Sequence, residues 1–215
     1  MLQLHYYPGN ASMTPHILLE ELGVPFELVL VDRNRNAHKS PEYLRLNPNG
    51  LIPVLTDRDL VLYETAAICL HLADLHPAAG LAPPLGTLAR AHFYKWLSWL
   101  TNTLQATLML YFYPERWASP DHVQGATTVK ARAEARVGSL LDQIEAELVR
   151  HGGPWLLGQQ FTALDPYTLM LCRWTRDFGR PARSLPVLGS YLQRLLQRPS
   201  VQRAFATEKL AQPFV

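Results

Sequence analysis

Strand and helix signals alternate through the first 76 residues and then give way to helix signals alone, and this change of pattern limits the folds open to the chain. LQLHYY reads as a short strand. Thr14 to Leu22 carries Ile17, Leu18 and Leu22 at helical spacing, with Glu20 and Glu21 on the other side, and Gly23 ends it. FELVLVD is a second strand and PEYLRLN a short helix. IPVLTD and DLVLYE form a hairpin about Asp57 to Asp59, and Thr65 to Leu75 is a helix. The order βαβ, short α, ββα predicts a sheet with a parallel half and an antiparallel half. HPAAGLAPPLG, rich in Pro, Ala and Gly, reads as a linker. Helices are then expected over Thr87 to Tyr113, Ala118 to Arg150, Thr162 to Phe178, Leu185 to Gln197 and Val201 to Ala206. The chain therefore divides into an α/β domain (1–76), a linker (77–86) and an all-helical domain (87–215).

Several functional classes drop out on composition. Twenty Lys and Arg stand against 18 Asp and Glu, a net charge of +2, so no strong field calls for nucleic acid. The longest apolar stretch, around LMLYFY, falls well short of the ~20 residues that span a bilayer. The start MLQLHYYPGN has no basic segment ahead of an apolar one and does not read as a signal peptide. Cys69 and Cys172 lie in apolar helical segments, which fits buried, reduced thiols and a cytoplasmic protein. Eight histidines are scattered, with no HExxH; CxxC, GxGxxG and P-loop motifs are missing, and no metal site is expected.

Three short stretches of the first domain carry chemistry. YPGNASMTPH joins the first strand to the first helix; Pro15 suits a helix start, and Asn10, Ser12 and Thr14 supply polar groups at an N-terminus that favours anions and thiolates. Its simpler reading is a capped helix. NPNGLIPVL places Pro53 at a strand start, where a cis bond would leave the Ile52 N–H and C=O free for an extended peptide. Its simpler reading is edge protection. LYETAAI sets Glu64 beside Thr65 at a helix start, an acid next to an anion-binding N-terminus that together would clamp a zwitterion. Capping by a first-turn acid is the simpler alternative.

Taken together these stretches resemble a bacterial cytosolic glutathione transferase of the beta-like kind, on YYPGNASMTPHILLEELGVPFELVLVD, YLRLNPNGLIPVL and YETAAICLHLAD. GPWLLGQQFTALDPYTL extends the resemblance into the helical domain, where Thr162 and Asp165 form a capping box after Phe161. Pro166 departs from the family's pattern there, and a shifted cap is expected. The resemblance implies a thioredoxin-like first domain followed by an all-helical one, glutathione as co-substrate, no permanently bound cofactor, and a homodimer. It implies glutathione contacts from Lys39, with His38 a weaker choice, from Ile52 and Pro53, and from Glu64 and Thr65. Gln105, Met109, Tyr113 and Trp117 of the long helix would line the site of a small, mostly apolar electrophile.

The chemistry such a protein must perform is activation of a thiol. A free thiol has a pKa near ~8.5, and lowering it by one unit takes only ~1.4 kcal/mol of differential stabilisation. One hydroxyl hydrogen bond to the thiolate is large enough. Beta-class members carry Cys-Ser in the opening loop; this chain has Ala11-Ser12, so chemistry through a mixed disulfide with the protein is not expected. Ser12 ranks first as activator, Asn10 second, and Tyr6, where mammalian-type enzymes carry a tyrosine, third. The leading reading is an enzyme that conjugates glutathione to electrophiles. The alternatives are a weakly catalytic or non-catalytic glutathione-binding protein and a specialised glutathione-dependent peroxidase, dehalogenase or isomerase.

Overall fold

A computed structural model describes residues 1–119 and 124–215. Strand β1 (Leu2–Tyr6) leads through the opening loop into α1 (Met13–Leu22), and β2 (Phe26–Leu30) returns parallel to β1. After two 3-10 turns, α2 (Pro41–Leu46) precedes the hairpin β3 (Val54–Asp57) and β4 (Leu60–Tyr63), and α3 (Thr65–Leu75) closes the unit. The four-stranded sheet runs β2-β1-β3-β4, with β3 antiparallel to both neighbours. The expected mixture of parallel and antiparallel halves is present.

Register explains where a site can form. His5 pairs with Val54, Val54 with Tyr63, and Tyr6 with Leu30. The loop after β1, the Ile52-Pro53 approach to β3, the Glu64-Thr65 exit from β4 and the turn after β2 therefore emerge at one end of the sheet. No crossover helix passes through that end, because α1 starts there and runs away from it.

The helical domain comprises α4 (Leu88–Trp99), α5 (Ala106–Phe112), α6 (Gly125–His151), α7 (Leu164–Arg173), α8 (Pro186–Leu196) and α9 (Pro199–Thr207). The single helix expected over Thr87 to Tyr113 is interrupted by a π-helical segment, Leu100–Gln105, between α4 and α5. Thr87 caps α4 by accepting the Arg90 N–H at 3.1 Å. The helix expected from Ala118 begins later. Ala118 is extended, and Gly125 is the first residue of α6; the part of that expectation at residues 120–123 lies outside the described residues. The helix expected through Phe178 stops at Arg173 and ends in turns.

One apolar core runs through both halves, joining Leu4, Ile17 and Leu18 to Leu104, Tyr167 and Leu192. Helix α1 is not amphipathic in the usual sense, since Met13 to Leu19 are all buried. Glu20 and Glu21, its polar side in the sequence, face α9 rather than water: Arg203 Nε donates to Glu20, Arg198 pairs with Glu21, and Ser200 Oγ donates to Glu21 at 2.5 Å. Helix α1 is thus packed between the sheet and the helical domain. No helix among the described residues is long and apolar enough to cross a membrane.

Asp165 organises the start of α7. Its carboxylate accepts the N–H groups of Thr162 (2.7 Å) and Leu156 (2.9 Å) and the hydroxyl of Tyr191 (2.8 Å). The acid half of the expected capping box is therefore formed. The Thr162 hydroxyl accepts the Leu164 N–H at 3.4 Å, while the Asp165 N–H that a capping box would give it bonds the Thr162 carbonyl at 3.0 Å. Burial raises the Asp165 pKa to about 6, against the pull of its four donor contacts. The folded chain then holds a proton that the unfolded chain has released between about pH 4 and about 6, so stability falls as pH rises through that window, by about 3 kcal/mol in all. Asp165→Ala, which leaves those donors facing no acceptor, is expected to cost at least about 3 kcal/mol at pH 5 and to flatten that slope. Urea unfolding from pH 4 to 7 measures both.

Candidate functional site

Leu51 is held from two sides. Its carbonyl accepts the Tyr43 hydroxyl at 2.8 Å and the Asn47 side-chain amide at 2.9 Å. Gly50 has φ +60°, and a Cβ there would lie 2.8 Å from the His38 carbonyl oxygen, so the turn favours glycine on both counts. The next peptide, Ile52-Pro53, is cis, as expected. Pairing of β3 with β1 begins only at Val54, and neither the N–H nor the C=O of Ile52 has a hydrogen-bond partner among the described residues. A braced, unpaired peptide unit at a sheet end can take an extended ligand by backbone pairing.

Basic groups stand beside it. Lys39 Nζ donates to the Asn49 carbonyl at 3.3 Å, and His38 Nδ1 is buried without a partner. Burial lowers the His38 pKa, and the charges of Arg33 and Lys39 lower it further, so the imidazole stays neutral next to the two cations. Glu64 adopts φ 73°, ψ 114°, a conformation that costs a non-glycine residue about 1–3 kcal/mol and clusters at ligand sites. It is exposed, with the first turn of α3 directly after it. Thr65 is buried, and its hydroxyl lies 3.5 Å from the Ala11 carbonyl, which brings the opening loop to α3.

The opening loop is tied in place by backbone bonds. Ser12 is fully buried; its hydroxyl donates to the Tyr7 carbonyl and accepts the Tyr7 N–H, both at 3.2 Å. Its single proton is therefore already committed. The Ser12 N–H has no partner among the described residues. Asn10 is half-buried; its Oδ1 accepts the Ala11 N–H at 2.6 Å, and its Nδ2 donors are unpaired among those residues. The Tyr6 ring packs against His16 on the α1 side of the sheet, and burial, followed by the Glu208 charge, raises its pKa. Cys69 and Cys172 are buried with their thiols pushed up, so neither offers a thiolate.

The helical domain reaches this sheet end at separate points. Tyr113, which ends α5, accepts a hydrogen bond from Arg33 Nη2 at 3.1 Å. Gln105, the last residue of the π segment, accepts the Tyr167 hydroxyl at 2.5 Å. Burial pushes the Tyr167 phenol up, and Glu64 is one of the charges that add to the push. Met109 packs against the core, and Trp117 is 66% exposed.

Residues that local sequence reading passed over complete the frame. Glu208 lies just past α9. It sets Oε1 2.7 Å from His16 Nδ1 and accepts the Gly9 N–H on Oε2 at 2.8 Å. Trp174 Nε1 donates to the Gly9 carbonyl at 3.1 Å. No local pattern marks Glu208 or Trp174. Arg33 could have been found, because it follows the C-terminal end of a parallel strand, where open α/β sheets bind ligands.

Residues 2–74 match the family described as glutathione S-transferase, N-terminal domain. A glutathione S-transferase, GST-4.5, of Xanthomonas campestris pv. campestris is 32% identical over 97% of this chain and all of its own length. The glutathione S-transferase GstA of Escherichia coli O157:H7 is 30% identical with the same coverage. Among solved structures, a glutathione transferase homolog from Sulfitobacter with bound glutathione superimposes with a TM-score of 0.88 at 28% identity, covering 98% of this chain and 99% of its own. The bacterial beta class enzyme of Sphingomonas chungbukensis superimposes at 0.82 with 32% identity, over 97% of this chain and 100% of its own.

Glu208→Ala leaves the His16 imidazole and the Gly9 N–H facing an empty space in the interior. A loss of about 3 kcal/mol is expected, and urea denaturation of wild type and variant measures it. Glu208→Gln, which keeps one acceptor for Gly9, is expected to lose less.

Proposed function

The chain belongs to the glutathione S-transferase family, and from that premise we propose how it binds glutathione and activates its thiol. The enzyme class follows from 30–32% identity to glutathione S-transferases over 97% of the chain. The observation that carries the rest of the reading is the unpaired Ile52 peptide, braced through the Leu51 carbonyl at the same sheet end as the α1 and α3 N-termini.

In this reading glutathione lies extended across that end. Its cysteinyl backbone pairs with Ile52 beside Pro53. Its γ-glutamyl ammonium meets Glu64, and the neighbouring carboxylate meets Thr65 and the first N–H groups of α3. Lys39, with His38 next to it, faces the glycyl carboxylate. The strain at Glu64 supports this, since it holds an acid at the head of a helix that favours anions.

The sulfur then falls at the opening loop. Ser12 keeps the loop's shape through its two bonds to Tyr7, and the donors left for sulfur are the Asn10 side-chain amide and the Ser12 N–H at the head of α1. Asn10 thus takes the activating role in place of the Ser12 hydroxyl, and Tyr6 supports the loop from the α1 side. Thiolate forms by release of its proton to water. It attacks the electrophilic carbon, the S–C bond forms, and the leaving group departs with the bonding pair. Ala11 removes the option of a protein–glutathione disulfide. Tyr113, Gln105, Met109 and Trp117 belong to the helical side of the electrophile site. A homodimer and a cytoplasmic setting complete the proposal, supported by exposed Leu60 and Val61 on edge strand β4 and by two free cysteines.

Ultraviolet difference absorbance during a glutathione titration across pH tests the mechanism. Wild type is expected to hold thiolate well below the free thiol's pKa. Asn10→Ala is expected to raise the bound pKa by about one unit, the loss of one charge-assisted hydrogen bond. Ser12→Ala is expected to destabilise the fold by about 1–2 kcal/mol through the Tyr7 groups it leaves unpaired. If wild type binds glutathione and leaves it protonated at neutral pH, thiolate activation is the wrong mechanism.

A further inference from the structure

Arg33 stands where the two domains meet. It opens the 3-10 turn Arg33–Arg35 after β2, and Asp32 caps that turn by accepting the Asn34 N–H at 3.0 Å. Its guanidinium has five donors. One reaches the Tyr113 hydroxyl of the helical domain at 3.1 Å, and the group lies 5.9 Å from the centre of the Tyr7 ring. Tyr7 packs against the small cluster that contains Ile52, so a single ring separates Arg33 from the peptide-binding edge.

Among the described residues the charge on Arg33 is uncompensated. No carboxylate among the described residues lies within 4 Å of it, and Asp32, its neighbour in sequence, pairs with Arg35 at 3.5 Å. A second guanidinium, Arg116, sits 4.1 Å from the centre of the Tyr113 ring, and its own carboxylate contact, with Glu115, is long at 3.9 Å and solvent-exposed. Two cations therefore share one tyrosine at the mouth between the domains. Partly buried arginines in folded proteins ordinarily meet an anion, and the guanidinium fork matches a carboxylate in two hydrogen bonds. Lys39 and His38 already stand at the Asn49-Gly50 turn beside Ile52, whereas Arg33 is the cation that reaches across to the helical wall.

We propose that the electrophile taken by this enzyme is an aryl compound bearing a carboxylate or similar anionic group, which Arg33 receives at the Tyr113 boundary between the domains. Arg116 adds to the attraction without direct pairing. The aromatic body lies against Tyr113, whose neighbour Phe112 is also exposed. The expectation of a mostly apolar electrophile is thereby refined to an apolar ring with one acid. This inference rests on the glutathione-binding reading given above.

Two conjugates that differ only in the acid test it: S-benzylglutathione and S-(4-carboxybenzyl)glutathione, titrated by calorimetry into the full-length protein and into Arg33→Gln. Arg33 is partly exposed and its loss leaves no buried acid unpaired, so the variant is expected to fold; circular dichroism checks this. Wild type is expected to bind the carboxybenzyl conjugate at least about tenfold more tightly than the benzyl one, and Arg33→Gln is expected to bring the ratio close to one. Equal affinities in wild type overturn the inference, as does a preference that survives in Arg33→Gln. If the variant weakens both conjugates equally with the ratio intact, Arg33 serves glutathione's own carboxylate and the inference is overturned while the glutathione reading stands. If neither conjugate binds wild type, the glutathione reading itself fails and takes this inference with it.

Discussion

Glu208 holds His16 with one carboxylate oxygen and the Gly9 N–H with the other, and the His16 and Glu208 side chains are fully buried. The rest of the site depends on this contact. Gly9 belongs to the loop between β1 and α1, and His16 to the first turns of α1, so Glu208 sets both the loop and the start of the helix. Trp174 adds a third hold on the Gly9 carbonyl. A buried carboxylate is costly to desolvate, and it persists because its partners are polar groups that would otherwise be unpaired themselves. The thioredoxin-like unit consequently does not hold its opening loop alone. That loop is braced by the helical domain, and α1 is enclosed so completely that its acids pair with Arg198 and Arg203 of the α9 region.

The same boundary sets the charge of the cleft. The sheet contributes Arg33, His38 and Lys39 from the connection after β2, and burial with neighbouring cations keeps His38 neutral. The helical domain brings Tyr113 and Arg116 to meet them. A nearly neutral chain thereby gathers cations at this boundary, which in the proposed reading would suit a tripeptide with two carboxylates and a further anion on the electrophile. The π segment Leu100–Gln105 contributes to the same wall. Its extra residue per turn changes the direction of Gln105, which meets the Tyr167 hydroxyl near Glu64.

Much of the architecture was legible in the residues. Alternation of period 2 and period 3.6 marks the strands and helices from β1 to α3, although α1 is buried on all sides over Met13 to Leu19, and Gly23 ends α1 in a left-handed conformation that the sequence position announces. Ile52-Pro53 and Glu64-Thr65 stood out through their order and spacing in one βαβ–ββα unit, since each alone also reads as edge protection or helix capping. Errors arose where packing overrides local pattern. Leu100 to Gln105 has ordinary helical residues, and nothing in them signals π geometry. At α7, the Thr162 and Asp165 spacing matched a capping box, but the Asp165 N–H bonds the Thr162 carbonyl instead of its hydroxyl, and only the acid half formed.

Ser12 shows why chemistry is harder to read than fold. A hydroxyl at the head of a helix fits both an activator and a brace, and the choice depends on the Tyr7 peptide five residues earlier, whose orientation no local pattern contains. By itself, the sequence determined the two-part architecture, the sheet end at which loops gather and the residue types available there, because periodicity and turn chemistry act over a few neighbours. Tertiary structure alone decided which of those groups remain unpaired. Glu208 on Gly9 and Arg33 on Tyr113 join distant parts of the chain, Tyr43 and Asn47 reach Leu51 across one turn, and a polar group is free for a ligand only when no such partner has reached it first.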